Sequence, residues 1–98
     1  MRTVKLTPAA EDDLEGIWHY SYHHFGELQA DRYVEHLSDV LRILGTNNIG
    51  TSRPELGKDF FALPFERHIL YFLQTDCEII IIRILSQNQD ASRHLHWS

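Results

Sequence analysis

The stretch Glu66–Leu85, ERHILYFLQTDCEIIIIRIL, decides the fold. Two apolar runs, Ile69–Leu73 and Ile79–Leu85, flank the polar break Gln74-Thr75-Asp76. Runs rich in Ile, Tyr and Phe suit a pleated, half-buried surface, and a short break containing Asp suits a tight hairpin turn. Successive side chains of a strand point to opposite faces, so Ile79-Ile80-Ile81-Ile82 is apolar on both. Such a strand belongs inside a sheet that is covered on both sides. Arg83 sits within this run and needs a partner or a route to water.

Upstream, Arg2–Leu6 alternates polar residues with Val4 and Leu6, the pattern of a short first strand. Thr7-Pro8 then predicts a helix start, with a hydroxyl N-cap and a proline whose missing N–H is harmless in the first turn. Glu11, Asp12 and Asp13 follow at the positive end of the helix dipole. Ala10, Leu14, Ile17, Trp18, Ser21, Tyr22 and Phe25 recur at helical steps, and Gly26 ends the helix. A second helix is predicted over Glu27–Leu44 and closed by Gly45, with Ala30, Tyr33, Val34, Leu37, Val40, Leu41 and Leu44 as its stripe. So short a connection implies an antiparallel helical hairpin. Residues 46–57 read as a loop, Lys58–Leu63 as a strand ended by Pro64, and residues 86–98 as a polar tail. Strand, two helices and three further strands make one α+β domain, the helices packed on a small antiparallel sheet.

At 98 residues the chain is one domain with a thin margin of stability, for which a bound partner matters. Its formal net charge is −5, and eight of its 14 acidic residues lie in residues 1–46. A protein that grips a phosphate backbone shows the opposite balance, so direct sequence-specific nucleic-acid binding is not expected. A single cysteine, Cys77, no apolar leader and no run of bilayer length fit a soluble cytoplasmic protein.

Several chemistries are poorly signalled. His19 and His23 have a chelating i, i+4 spacing, but no further ligand accompanies them, and protonated histidine suits a helix C-terminus anyway. No metal and no cofactor is therefore expected. The serines lie outside any nucleophile elbow, and the glycines form no phosphate loop. What remains is a set near the sheet: Arg53, Lys58, Arg67, His68, Tyr71 and Arg83. Two readings are open. One is a cleft for RNA or an acidic peptide; in the other, Arg67 and Arg83 pair with Glu66, Glu78 or Asp59 around the sheet rim.

Four pieces, LTPAAEDDLEGIWHYSYHHFG (6–26), QADRYVEHL (29–37), FFALPFERHILYFL (60–73) and IIIIRILSQNQD (79–90), together resemble the ParE family of type II toxin–antitoxin systems. The family lies within the RelE/ParE superfamily. The resemblance implies the same helical hairpin on an antiparallel sheet. It also implies a cognate ParD-like antitoxin, bound as a hetero-oligomer through groove filling and strand addition, and DNA gyrase as the target. Trp18, Tyr22, Tyr33 and Leu37 are the residues expected to meet the antitoxin, unless all four are core. Arg67, His68, Tyr71 and Arg83 are expected to form the target- or antitoxin-contacting sheet surface.

The rival activity is RelE-like cleavage of ribosome-bound messenger RNA, which needs a base, an acid and a cation beside the phosphorane. His68 falls where RelE-like enzymes often place arginine. Ser86-Gln87-Asn88-Gln89 carries amides and a hydroxyl where those enzymes place protonatable groups. No catalytic residue is therefore assigned. Many ParE members have histidine and arginine in that segment, and their absence raises a third reading, a relic that binds its antitoxin and poisons nothing.

Overall fold

The computed structural model describes residues 2–89 and Ala91. The order is β1 (Thr3–Leu6), α1 (Pro8–Phe25), α2 (Glu27–Thr46), β2 (Thr51–Ser52), β3 (Phe60–Phe65), β4 (His68–Gln74) and β5 (Glu78–Ser86). No described helix is long and apolar enough to cross a membrane. The predicted tail from residue 92 onward lies outside the described residues.

Thr7 caps α1 as expected, its Oγ1 accepting from the Ala10 N–H at 3.1 Å. The same hydroxyl donates to the Ile82 carbonyl at 2.8 Å, tying the helix start to β5. Gly26, at φ +91°, turns the chain directly from α1 into α2. Gly45 does not close α2; the helix runs on through it to Thr46. Its bareness serves packing, because a Cβ there would stand 3.0 Å from the Arg2 carbonyl.

The sheet order is β1-β5-β4-β3-β2. It is mixed rather than wholly antiparallel: β1 runs parallel to β5, and the other neighbours are antiparallel. The long helical hairpin supplies the crossover that a parallel pair needs. Pro64 does not end β3, which continues to Phe65. Since β2 reaches only Ala62, β3 is a sheet edge beyond that point, where a missing N–H is tolerated.

Both faces of β5 are covered. Ile79, Ile81 and Ile84 join Leu70 and Phe72 against Ile17, Leu37, Leu41 and Leu44 of the helices. Ile82 and Leu85 join Phe60, Ala62, Tyr71 and Ala91 on the other face, with Leu56 packed alongside. A bulge lets both sets be apolar: Tyr71 pairs with Arg83 and Phe72 with Ile81, leaving Ile82 as the extra residue. Bulges re-aim side chains, and Ile84 thereby returns to the helix face while Arg83 reaches α1.

Candidate functional site

The flank of α1 that turns toward α2 is aromatic. The Trp18 indole donates from Nε1 to Asp31 at 2.8 Å, and its ring stacks on Tyr22 at 5.2 Å. Tyr22 is 44% exposed, and Phe25 and Leu28 beside the helix turn are more open still. Tyr33 is half-buried, edge-on to Phe65, with its hydroxyl 2.7 Å from His68 Nδ1. Leu37 belongs to a different environment. It has 0% exposure in the core, because its neighbours on the α2 stripe carry it onto the sheet, and it has no surface to offer an antitoxin.

The sheet residues divide in the same way. Arg67 is exposed in the turn between β3 and β4, its guanidinium carbon 6.0 Å from the Phe25 ring centre. Tyr71, at 3% exposure, is core on the far face of the sheet and not a contact surface. Among the described residues Arg83 pairs with Asp13 and not with Glu66, Glu78 or Asp59. Its Nε and Nη2 donate to Asp13 at 2.7 and 2.9 Å, and Asp13 also accepts the Ile84 N–H at 2.9 Å. Glu78 is engaged by Lys5 instead, and Arg53 by Glu55. Asp13 thus does more than favour the helix dipole: it fastens α1 to β5 beyond the end of β1. No local signal links it to Arg83, 70 residues away.

His68 joins the two sets. Burial holds its imidazole below the usual value of 6.5, Asp13 pulls the other way, and Arg67 reinforces the depression. Burial likewise raises the Tyr33 phenol, with Glu66 adding to it. The fold therefore favours neutral His68. Its contribution to stability is complete above 6.5 and is lost as pH falls through the lower folded value. His68→Gln, which keeps a hydrogen-bonding partner for Tyr33, should flatten the fall in melting temperature between about pH 7.5 and 5. An unchanged slope would mean that His68 is not the group responsible.

Residues 86–89 fold back over this end of the sheet. The Gln87 N–H donates to the Arg67 carbonyl at 3.0 Å, and its side chain to the Glu66 carbonyl at 2.6 Å. Gln89 Oε1 accepts the Ser86 N–H at 2.8 Å. Between this segment and α1 runs a groove of about 640 Å³ that reaches Arg67 and His68. The histidines of α1 are occupied with neighbours: His19 meets Glu15 at 3.7 Å, and His24 lies against the Tyr20 ring and carbonyl.

A helical hairpin with an exposed aromatic flank, laid on a five-stranded mixed sheet, makes a small α+β module. Residues 4–91 match the model of the ParE toxin of the type II toxin–antitoxin system parDE. The chain is 32% identical over 92 residues to Toxin ParE1 of Mycobacterium tuberculosis, covering 92% of this chain and 94% of that one. It is 26% identical to Toxin ParE1 of Caulobacter vibrioides, over 97% and 99% of the two chains. A solved chain from the chromosomal ParDE system of P. aeruginosa superposes with a TM-score of 0.75 at 26% identity, covering 88% of this chain and 96% of its own. This chain belongs to the ParE toxin family of type II toxin–antitoxin systems.

Proposed function

We propose that this toxin acts by occupying DNA gyrase, without breaking a bond itself, and that a cognate ParD-like antitoxin silences it in a hetero-oligomer. The observation that carries the reading is the Arg83–Asp13 pair. A ribonuclease of this architecture needs cationic support for a phosphorane beside its sheet. Here Arg83 is held in two hydrogen bonds to a carboxylate that also caps the Ile84 N–H. Drawing Arg83 toward a phosphate would strand Asp13 in a largely buried position, which is costly. The neighbouring Ser86–Gln89 side chains do not exchange protons near neutrality. Family membership supports the toxin and its antitoxin.

Trp18, Tyr22 and Tyr33 are the proposed antitoxin contacts, since amphipathic rings on one flank are what an apolar partner segment covers. Arg67 and His68 remain the proposed target contacts on the sheet side. Expression of the chain alone should arrest growth, and co-expression of its antitoxin should relieve the arrest. A chain that binds antitoxin yet leaves growth and gyrase supercoiling untouched would be the inactive relic.

A further inference from the structure

We infer that the cavity at the turn of the helical hairpin seats a tyrosine side chain of the antitoxin, its ring against Phe25 and Tyr33 and its hydroxyl bonded to Ser21. The inference rests on the reading that a cognate antitoxin silences this toxin, and it names the anchor. Ser21 lies on the buried stripe of α1, after Ala10 and Ile17. Nothing in the helix calls for a hydroxyl there, since alanine is the better helix former. Ser21 is only 8% exposed, yet its hydroxyl has no hydrogen-bond partner among the described residues. A hydroxyl enclosed without a partner costs free energy. Among the described residues no wholly covered side-chain oxygen is left unpaired, so the Ser21 Oγ still touches open space. The space it lines is a cavity of about 450 Å³.

The other walls specify what fills that space. Phe25 at the end of α1 and Tyr33 on α2 bring rings, Gln29 brings an amide, and the turn between β3 and β4 brings Glu66 and Arg67. The Tyr33 hydroxyl is engaged by His68 at 2.7 Å and its ring is braced edge-on by Phe65, so it offers the cavity a fixed ring. Arg67 lies over the Phe25 ring. Two aromatic walls suit an aromatic body, for which offset and edge-on contacts are favourable.

Charge does not select the occupant, because the rim holds one acid and one base. Glu66 and Arg67 are adjacent in the turn, and neither has an ionic partner among the described residues. An entering carboxylate meets Glu66 and an entering ammonium meets Arg67, which gives neither sign the advantage. Ser21 offers a neutral hydroxyl that both donates and accepts. A tyrosine side chain joins a flat apolar body to a neutral polar tip, and the cavity has room for it and for the backbone that carries it. A segment anchored here holds Tyr33, a proposed antitoxin contact, and covers Arg67, a proposed target contact. One anchor thus couples binding to neutralisation.

The test uses the full chain, its cognate antitoxin and three fragments followed by amide chemical shifts. The fragments are p-cresol, which is the tyrosine side chain, toluene, which lacks the hydroxyl, and 4-methylbenzoate, which carries a charge. p-Cresol should shift Ser21, Phe25 and Tyr33 and bind about fivefold tighter than either of the others. Ser21→Ala should melt about 2–4 °C higher through helix propensity. It should bind p-cresol no better than toluene, and hold antitoxin about fivefold more weakly. Saturating antitoxin should release p-cresol from the parent chain. Toluene binding as tightly as p-cresol, or 4-methylbenzoate binding tighter, overturns the tyrosine, as does unchanged antitoxin affinity in Ser21→Ala. p-Cresol that stays bound in the toxin–antitoxin complex overturns the antitoxin as occupant, while the antitoxin reading itself stands. A parent chain that binds no antitoxin overturns both.

Discussion

Asp13→Ala should destabilise the chain by about 3 kcal/mol, the lower end of what removing one partner of a buried ion pair costs. The low end applies because the Arg83 side chain keeps 24% of its exposure, against 15% for Asp13. The loss has two sources. Arg83 loses two charge-assisted hydrogen bonds to the Asp13 carboxylate, and the Ile84 N–H loses its acceptor beyond the end of β1. For a domain of this size that corresponds to a fall of about 12–24 °C in melting temperature. Adding Arg83→Met should cost less than the two single losses summed, because the Arg83–Asp13 bonds are lost only once while the Ile84 N–H still lacks its acceptor. A drop of under about 1 kcal/mol for Asp13→Ala would instead place the pair among weak surface bridges.

Leu37→Ala should cost about 3–4 kcal/mol, in the range for emptying a fully buried leucine site. The side chain is wholly enclosed between α2 and the sheet, where the rigid strands below it relax little. The contrast with Trp18→Ala is the informative part. Trp18 is only half-buried, with an indole N–H tied to an exposed carboxylate, so its removal should lower stability far less. Its removal should weaken antitoxin binding by about 2 kcal/mol, roughly thirtyfold, as aromatic anchors of interfaces do. Urea denaturation of each variant, followed by titration with antitoxin, separates the two. Equal stability losses for both would contradict the division of these residues between core and surface.

Local chemistry made much of the fold legible. Thr7-Pro8 and Gly26 marked α1 because capping depends on adjacent residues, and the isoleucine run marked β5 because alternation is a property of the strand itself. The features that were missed depend on distant partners. Nothing within Arg2–Leu6 says that it lies parallel to β5. Pro64 stays in its strand only because β2 stops short, and Gly45 stays in its helix because Arg2 packs against it.

The site follows the same rule. Leu37 was legible as core from its own stripe, since Ala30, Leu41 and Leu44 at helical spacing share its burial. Tyr71 was harder, because it is enclosed only once residues such as Phe60 and Leu85 close the second face. Asp13 read as a helix-dipole residue, and the bulge that brings Arg83 to it is invisible without the pairing of β4 with β5.

The most direct test of how this toxin acts is a supercoiling assay with purified DNA gyrase, run beside a cleavage assay on ribosome-engaged messages. The account predicts inhibited supercoiling or trapped cleaved DNA, relieved by antitoxin, and intact messages. Untouched gyrase together with cut messages would contradict it.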